Sequence, residues 1–356
     1  MHPISRRTAL QTGLASTLLP FLGSASPALA ADPYADAKFA AGEPPRPKEG
    51  GFTIAVLPDT QNYSEKFPAN FTAQTEWIVE NRKARNIACV LHLGDVTNHN
   101  TPEEWTNAAK SLKVLHDAKM PLCLVPGNHD YSEKGGCRDR TTHINEYLPV
   151  SMFEGATFGG VYDREPDRIE NNYQLVTVGD RPLLLLGLEF GPRKDVVRWA
   201  NEVVAKHPRH GVILLTHAYM YYDETRYDWK THGTKQTWNP HNYPVAKATD
   251  DDVLDGEELW QQLVSRHENF LMTLNGHVLN DGLGRMTSKT PGGRDVHQML
   301  VNFQMKPQGG DGWLRLLTFQ PDGTTVDVCD YSPTRKERNE SPQNQFSLSL
   351  AQVGKS

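Results

Sequence analysis

The chain has 356 residues, of which 38% are hydrophobic and 22% are charged, and its formal net charge is −6. This is the composition of a globular protein with room for a large core, and its acidic balance does not suit a protein that coats nucleic acid or anionic membranes. Four cysteines do not make a disulfide scaffold at this length, and no apolar run reaches the roughly 20 residues of a membrane-spanning helix. The protein classes that remain are a globular enzyme and a protein that binds a small ligand.

The first 30 residues match a secretory signal peptide. A charged start is followed by an apolar stretch and by the small-x-small cleavage sequence Ala28-Leu29-Ala30. Ser5-Arg6-Arg7 also resembles a twin-arginine export signal, although Ala9 stands where that signal usually has an aromatic residue, so ordinary secretion is the alternative. We expect an exported protein, periplasmic or extracellular, whose residues 31–51 form a linker rich in Pro, Ala and Lys.

From residue 52 onward, short apolar segments are each followed by a turn and then by a polar side chain. Continuous apolar segments of this length predict strands that are buried on both faces. The five segments are Phe52 to Leu57, Ile87 to Leu93, Pro121 to Val125, Gly211 to Leu215 and Phe270 to Leu274. Because α/β sheets place their sites at the carboxyl ends of strands, the polar residues that follow can meet and bind a metal ion.

The segments between these strands predict helices. Phe67 to Arg85 is amphipathic, and Thr101-Pro102-Glu103-Glu104 is a capping box that begins a helix ending near Lys119. Residues 194–206 and 257–267 predict two more helices. The alternation of strands and helices indicates an α/β fold.

The polar residues form a recognisable set. Together they resemble the motifs of the calcineurin-like metallophosphoesterase family in order and spacing, from about residue 52 to residue 329. The matching motifs are Asp59-Thr60-Gln61, Gly94-Asp95, Gly127-Asn128-His129-Asp130, Thr216-His217 and Gly276-His277. The resemblance implies an α/β two-sheet sandwich flanked by helices, as one domain over residues 52–332 with a polar tail over 333–356.

The resemblance also implies a role for each motif residue. It implies two divalent ions (Mn, Fe, Zn or Mg), bridged by Asp95, with Asn128, His217 and His277 completing one site and Asp59 with Gln61 holding the other. A metal-activated hydroxide would hydrolyse a small phosphorylated substrate. His129 would face the leaving group as a general acid or electrostatic stabiliser, and Asp130 would orient its imidazole and keep it cationic.

Two residues depart from the family pattern. Gln61 replaces a histidine of the first motif, and Leu279 stands where the last ligating histidine is expected. Leucine has no lone pair, and whether Asn280 or Asp281 replaces the missing ligand stays open. We therefore expect one tightly bound ion and a weaker one biased toward Mn²⁺ or Mg²⁺.

An aromatic insertion, residues 218–252, directly follows His217. It contains five tyrosines and two tryptophans, and it predicts either a lid over the site or a small core of its own. Three arginines, Arg138, Arg140 and Arg164, are candidate phosphate ligands. His92 lies within a strand and is expected to be a hydrogen-bonded core histidine, and a Cys137–Cys329 disulfide is left open.

The last third of the chain predicts further antiparallel strands over residues 298–303, 313–319 and 324–328, with Asp322-Gly323 as a hairpin turn. We place them at the edge of the second sheet, and Phe346, Leu348 and Leu350 can add one more strand. The leading interpretation is an exported phosphoesterase acting on a monoester or a diester. A single-metal binding protein of the same fold and a metallohydrolase acting on a non-phosphate bond are the alternatives. The oligomeric state is not predicted.

Overall fold

The computed structural model describes residues 32–350, and the predicted signal peptide lies outside them. Within these residues there are fifteen strands: β1 (Phe39–Ala41), β2 (Phe52–Leu57), β3 (Ile87–His92), β4 (Leu122–Leu124), β5 (Phe158–Val161), β6 (Asn172–Val178), β7 (Arg181–Leu188), β8 (Gly211–Thr216), β9 (Phe270–Asn275), β10 (Leu283–Lys289), β11 (Asp295–Val301), β12 (Leu314–Phe319), β13 (Thr325–Ser332), β14 (Glu337–Asn339) and β15 (Gln345–Ser349). The helices of the same residues are α1 (Gln61–Lys66), α2 (Pro68–Asn81), α3 (Pro102–Asp117), α4 (Ile144–Tyr147), α5 (Lys194–Lys206), α6 (Trp229–His232), α7 (Pro244–Ala248), α8 (Gly256–Gln262) and α9 (Pro307–Gly310).

The strands form two mixed sheets. The first has the order β1-β14-β13-β12-β2-β3-β4, with β15 also paired to β13, and the second has the order β10-β11-β9-β8-β7-β6-β5. Strands β2, β3 and β4 are parallel to one another, and so are β7, β8, β9 and β11. The predicted metal ligands follow five of these seven parallel strands, namely β2, β3, β4, β8 and β9.

The burial pattern of β2 shows why its apolar run is continuous. Ile54 and Val56 pack in the layer between the two sheets, whereas Ala55 and Leu57 pack in the layer that contains residues of α2 and α3. A strand buried on both faces needs no polar alternation, which explains the pattern in the sequence. Residues of α5 and the aromatic insertion form a third apolar layer with β7 and β8. The predicted two-sheet sandwich flanked by helices is confirmed.

The four predicted helices are all present, but α2 and α8 end earlier than predicted, α8 at Gln262. Helix α3 begins after Thr101, whose hydroxyl accepts a hydrogen bond from the Glu104 backbone N–H at 3.3 Å, while the Glu104 carboxylate accepts one from the Thr101 N–H at 3.4 Å. This reciprocal pair satisfies two N–H groups that a helix N-terminus otherwise leaves open. Helix α5 has the predicted bounds, and α2 is shorter than predicted, ending at Asn81.

The two terminal segments of the described chain differ from expectation. The segment expected to be a linker contains β1, which pairs with β14, and the ring of Phe39 stacks on Trp313 at 5.9 Å between centroids. The polar tail contains β14 and β15, and the alternation of Phe346 and Leu348 is that of a strand paired to β13. The predicted edge position is wrong for β12 and β13, because β12 pairs with β2 in the first sheet.

Candidate metal centre

Polar side chains from both sheets meet at the carboxyl ends of five strands. Asp59, Asp95 and Asn128 follow β2, β3 and β4, and His217 and His277 follow β8 and β9. Ligand atoms of Asp95, His217 and His277 all lie within 4.8 Å of one another, and all three residues are buried. Nε2 of His217 is 4.0 Å from Oδ1 of Asp59. The sandwich therefore brings together carboxylates from one sheet and imidazoles from the other.

Several donor atoms in this cluster are buried without a hydrogen-bond partner: Asp59 Oδ2, Gln61 Oε1, Asn128 Oδ1 and His217 Nε2. A buried polar atom with no partner is costly, by about 1–3 kcal/mol, so four in one place require a common explanation. Each atom carries a lone pair, and carboxylate, amide and imidazole atoms are ligands for divalent ions. The donor set thus fits the metals that the sequence predicts.

The two histidines are oriented through their other ring nitrogens. Nδ1 of His217 lies 2.7 Å from the Leu93 carbonyl oxygen, and Nε2 of His277 lies 2.8 Å from the Trp238 carbonyl oxygen. A carbonyl only accepts hydrogen bonds, so these nitrogens are the donors. The opposite nitrogen of each ring is left for the cluster, which is the usual arrangement of metal-binding histidines.

Glycines make the close approach of the carboxylates possible. A Cβ atom on Gly127 would lie 2.1 Å from Oδ1 of Asp95, and one on Gly276 would lie 2.0 Å from Oδ2 of Asp59. Neither contact is sterically possible, so both motif positions require glycine. Asp59 and Asp95 themselves have positive φ angles of 40° and 49°, a costly backbone conformation that is concentrated at functional sites.

Burial and mutual charge shift the pKa values of the cluster. Burial raises the pKa of Asp59 to about 8, with Asp95 contributing. Burial also opposes ionisation of Asp95, but the neighbouring His217 and His129 hold the pKa of its carboxyl below its usual range. Burial would lower the pKa of His217, yet the charge of Asp95 raises it to about 9. The two carboxylates of the cluster thus have opposed pKa shifts, a pattern typical of functional sites.

The cluster opens into a cavity of about 180 Å³. Its described lining residues are Gln61, Asp95, Asn98, Asn128, His129, Trp238, Tyr243, His277, Leu279 and Gln304, and they include no arginine or lysine. The three arginines considered as phosphate ligands lie elsewhere. Arg140 donates to the carbonyl oxygens of Phe190 and Gly191, Arg164 pairs with Asp195 at 3.1 Å, and Arg138 is exposed outside the cavity. The structure does not support them as ligands.

His129 lies in the cavity wall, as its predicted role requires. Its backbone N–H donates to Oδ1 of Asp95 at 2.9 Å, and its Nδ1 lies 2.8 Å from the Asn98 carbonyl oxygen. The predicted role of Asp130 is wrong, because its carboxylate accepts hydrogen bonds from the N–H groups of Val96, Thr97 and Gly127 and from the Thr97 hydroxyl. The Asn98 carbonyl orients the His129 ring, and Asp130 joins two ligand-bearing loops.

The aromatic insertion combines both predicted arrangements. Tyr219 and Tyr227 are fully buried in the apolar layer outside the second sheet, so part of the insertion has a core role. Trp238 and Tyr243 line the metal-site cavity instead. The insertion is therefore anchored by one group of aromatic residues and contributes another to the wall of the site.

The sequence did not identify Asn98 and Gln304 as cavity residues. Neither belongs to a family motif, and Gln304 reaches the site from a loop that is remote in the chain. Leu279 lines the cavity, as expected from its place in the last motif, whereas Asn280 and Asp281 do not. His92 is confirmed as a hydrogen-bonded core histidine, with Nε2 at 2.9 Å from the Thr60 hydroxyl. All four cysteines are free and buried, so Cys137 and Cys329 are not bridged.

An α/β sandwich with this donor set at its strand ends can hold divalent metal ions. A family model described as calcineurin-like phosphoesterase matches residues 52–253, and the chain belongs to that family. This match confirms the predicted family, which is one of metal-dependent phosphoesterases. None of the helices in the described region has the length and apolarity that crossing a membrane requires.

Individual relatives are more distant. The chain is 30% identical over 322 residues to the uncharacterized protein YvnB of Bacillus subtilis (strain 168), a match covering 85% of this chain and 22% of YvnB. It thus spans about a fifth of that relative. Similar solved structures include a purple acid phosphatase, PPD1, from yellow lupin (Lupinus luteus) seeds (TM-score 0.49, 11% identity, 87% of this chain and 55% of that one). Another is the NAD nucleotidase of Haemophilus influenzae (TM-score 0.40, 13% identity, 84% and 50%).

Proposed function

We propose that this protein is an exported, metal-dependent phosphoesterase that hydrolyses a small phosphomonoester or phosphodiester. The observation that carries the proposal is the set of four buried donor atoms without partners, which converge on the Asp95–His217–His277 cluster. Divalent ions, when bound there, lower the pKa of water and neutralise phosphate charge. With no arginine or lysine in the described cavity wall, that positive charge is the attraction available to an anionic substrate.

The residues of the site have two proposed roles, metal binding and proton donation. Asp59, Gln61, Asp95, Asn128, His217 and His277 would hold two ions, with Asp95 between them. His129 would act on the substrate, because its Nδ1–H is held by the Asn98 carbonyl and its Nε2 remains available to the leaving-group oxygen. A positioned histidine that donates a proton to a leaving group contributes about 10²–10⁴-fold to the rate.

A substrate panel tests this function. Purified protein supplied with Mn²⁺, Zn²⁺, Fe²⁺ or Mg²⁺ should hydrolyse p-nitrophenyl phosphate or bis-p-nitrophenyl phosphate, and Asp95→Ala should abolish that turnover. His129→Ala should reduce turnover mainly of alkyl phosphates, whose leaving oxygen is more basic. Asp117→Ala and His116→Ala, which change the same residue types on the outer end of α3, are the matched controls. Equal background rates in all variants would instead favour the single-metal binding protein. Turnover of p-nitrophenyl acetate without turnover of phosphates would favour hydrolysis of a non-phosphate bond.

Export is tested separately, because the proposal of export rests on the sequence of residues 1–30 alone. Replacing Arg6 and Arg7 together by lysine should stop export if the twin-arginine route is used. Export that persists in this variant but stops after deletion of the apolar stretch supports ordinary secretion. A chain that stays in the cytoplasm with its native N-terminus contradicts the proposed location.

A further inference from the structure

The side chain of Trp238 is exposed to solvent, although large aromatic side chains are mostly buried in this protein. It is 38% exposed and lines the metal-site cavity. Among the residues that the structure describes, no aromatic ring stacks on its indole, and no acceptor is hydrogen-bonded to its indole N–H. The other aromatic residue of the cavity wall, Tyr243, packs against Phe190 with 4.9 Å between ring centroids. Trp238 is thus an aromatic surface with no described partner beside the metal centre.

The backbone that carries Trp238 is held in place on both sides. The Thr237 carbonyl accepts a hydrogen bond from the Tyr227 hydroxyl at 3.0 Å, and the Asn239 amide donates to Oδ2 of Asp255 at 3.1 Å. The Trp238 carbonyl itself accepts the hydrogen bond from Nε2 of His277 at 2.8 Å. The indole is therefore presented from a fixed backbone that is hydrogen-bonded directly to a predicted metal ligand.

The conformation of Trp238 is also costly. Its φ angle is +63°, a region that bulky residues other than glycine rarely adopt. Glycine or asparagine would occupy this backbone more easily, so the large ring must be favoured for what it contacts. Among the described residues no aromatic ring packs on the indole, and its exposed part, beside the cavity, is accessible to a bound ligand.

The cavity and Trp238 together define what that ligand can be. A volume of about 180 Å³ exceeds that of a phosphate group, so part of the esterified group of a substrate fits beside Trp238 as well. A flat aromatic group needs only a ring face, and stacking on an aromatic side chain supplies it.

We infer that Trp238 is a specificity residue on which a planar aromatic group of the phosphate ester stacks, whether aryl or nucleobase. This inference rests on the proposed function, which it narrows to aromatic phosphate esters. Trp238 contributes twice: its ring binds the esterified group, and its carbonyl positions His277. Substrate recognition and the metal centre are thereby connected through a single residue.

Phosphonates test the inference without turnover, because their carbon–phosphorus bond is not an ester bond. Binding of methylphosphonate, cyclohexylphosphonate and phenylphosphonate to the Mn²⁺-loaded protein is measured by isothermal titration calorimetry. Cyclohexyl and phenyl groups have similar size, so their comparison separates planarity from simple burial. We expect phenylphosphonate to bind about tenfold more tightly than methylphosphonate and more tightly than cyclohexylphosphonate. A nucleoside 5′-phosphonate in the same assay distinguishes a nucleobase from a simple aryl group.

Variants of Trp238 complete the test. Trp238→Ala should remove most of the tenfold preference for phenylphosphonate over methylphosphonate, and Trp238→Phe should retain most of that preference. Trp260→Ala, which removes a partly buried tryptophan that contacts Arg226 outside the cavity, is the matched control and should leave the preference intact. The Mn²⁺ stoichiometry of each variant shows whether the carbonyl contact to His277 survives.

The inference is overturned if phenylphosphonate fails to bind, if cyclohexylphosphonate binds as tightly, or if Trp238→Ala leaves the preference unchanged. These results are distinguishable from failure of the proposed function. If the protein hydrolyses phosphate esters but shows no aromatic preference, only the proposed role of Trp238 is rejected. If it binds phenylphosphonate through Trp238 but hydrolyses no ester, the role of Trp238 is kept and the phosphoesterase function is rejected.

Discussion

Nε2 of His217 lies 3.2 Å from Oδ2 of Asp95, and both side chains are buried. The two atoms come from different sheets, and the geometry does not make a hydrogen bond that satisfies Nε2. A carboxylate and an imidazole held this close, each with its other polar atom bonded to backbone, are placed to bind the same divalent ion.

Replacing Asp95 by asparagine should disable metal binding while keeping the shape of the side chain. The loss of the central carboxylate should weaken Mn²⁺ binding at least tenfold and lower kcat/KM by at least about 100-fold. In the wild type, Mn²⁺ in excess of its dissociation constant should raise the melting temperature, because an ion that binds only the folded state stabilises it. Calorimetric titration and thermal unfolding measure both effects, with Asp117→Asn as control. Unchanged Mn²⁺ binding in Asp95→Asn would exclude Asp95 as a ligand.

Leu279→His should restore a ligand to the weaker metal position. Leu279 lines the cavity together with Gln61, so a histidine there can reach the same space. We expect the wild type to bind one ion tightly and a second weakly, and the variant to bind the second ion at least about tenfold more tightly. Metal titration with elemental analysis measures the stoichiometry. Two ions of equal affinity in the wild type would contradict the predicted asymmetry.

The effect of His129→Ala should depend on the leaving group. A proton donor matters most when the leaving oxygen is basic, so the variant should lose about 10²-fold or more with alkyl phosphates and much less with p-nitrophenyl phosphate. Metal content should remain at the wild-type value, since His129 is not in the predicted ligand set. A loss of the same size for every leaving group would indicate electrostatic stabilisation in place of proton transfer.

Asp130→Ala should act mainly on stability. The Asp130 carboxylate is buried and accepts hydrogen bonds from three backbone N–H groups, at 2.8–3.0 Å, and from one hydroxyl. Leaving these donors unsatisfied should lower the free energy of unfolding by about 2–4 kcal/mol. Asp130→Asn, which keeps one oxygen, should cost less, and urea denaturation with Asp117→Ala as control measures the difference. If Asp130→Ala unfolds like the wild type but has lost activity, Asp130 has a catalytic role after all.

His241 should make the stability of the aromatic insertion depend on pH. Burial would lower its pKa, but hydrogen bonds to Glu258 at 2.8 Å and Asp251 at 2.7 Å raise it to about 9. Because the folded pKa exceeds the unfolded value of about 6.5, the stabilisation is complete below about pH 6.5 and disappears as pH rises through 9.

The matched variant for that prediction is His241→Gln. Asp251 and Glu258 are partly exposed, so solvent screening reduces the expected difference from wild type to about 1–2 kcal/mol at pH 6, declining toward zero near pH 10. Urea denaturation at several pH values measures it, with His116→Gln as control. A difference that is constant with pH would show that the charge of His241 does not contribute.

The fold and the ligand-bearing loops were predictable because their signals are local. A strand buried on both faces is a short apolar run, and a glycine before or after a ligand marks a close backbone approach, as at Gly127. The resemblance to the family motifs also predicted that these loops meet at one metal site. Each of these features occupies a few consecutive residues, so a single sequence records it directly.

The features that were missed or misplaced depend on contacts between distant segments. Asp130 stands next to His129 in the chain, but its side chain turns toward the loop after β3, and adjacency does not show that direction. Gln304 lies 243 positions after Gln61 and shares a cavity with it only through the packing of the sandwich. Strand β12 was placed in the wrong sheet because alternation predicts a strand and does not name its neighbour.

The pairing of β2 with β12 has a consequence for any shortened form of this protein. Residues 52–253 carry the family signature, yet they omit the neighbour that covers one side of β2, and they omit His277. Expressed alone, that fragment would present an apolar, unpaired strand edge at the centre of what should be a continuous sheet, and such an edge recruits other chains. The fold therefore needs more residues than the family model matches. Chains made for expression trials should begin at or before residue 39 and extend through residue 349.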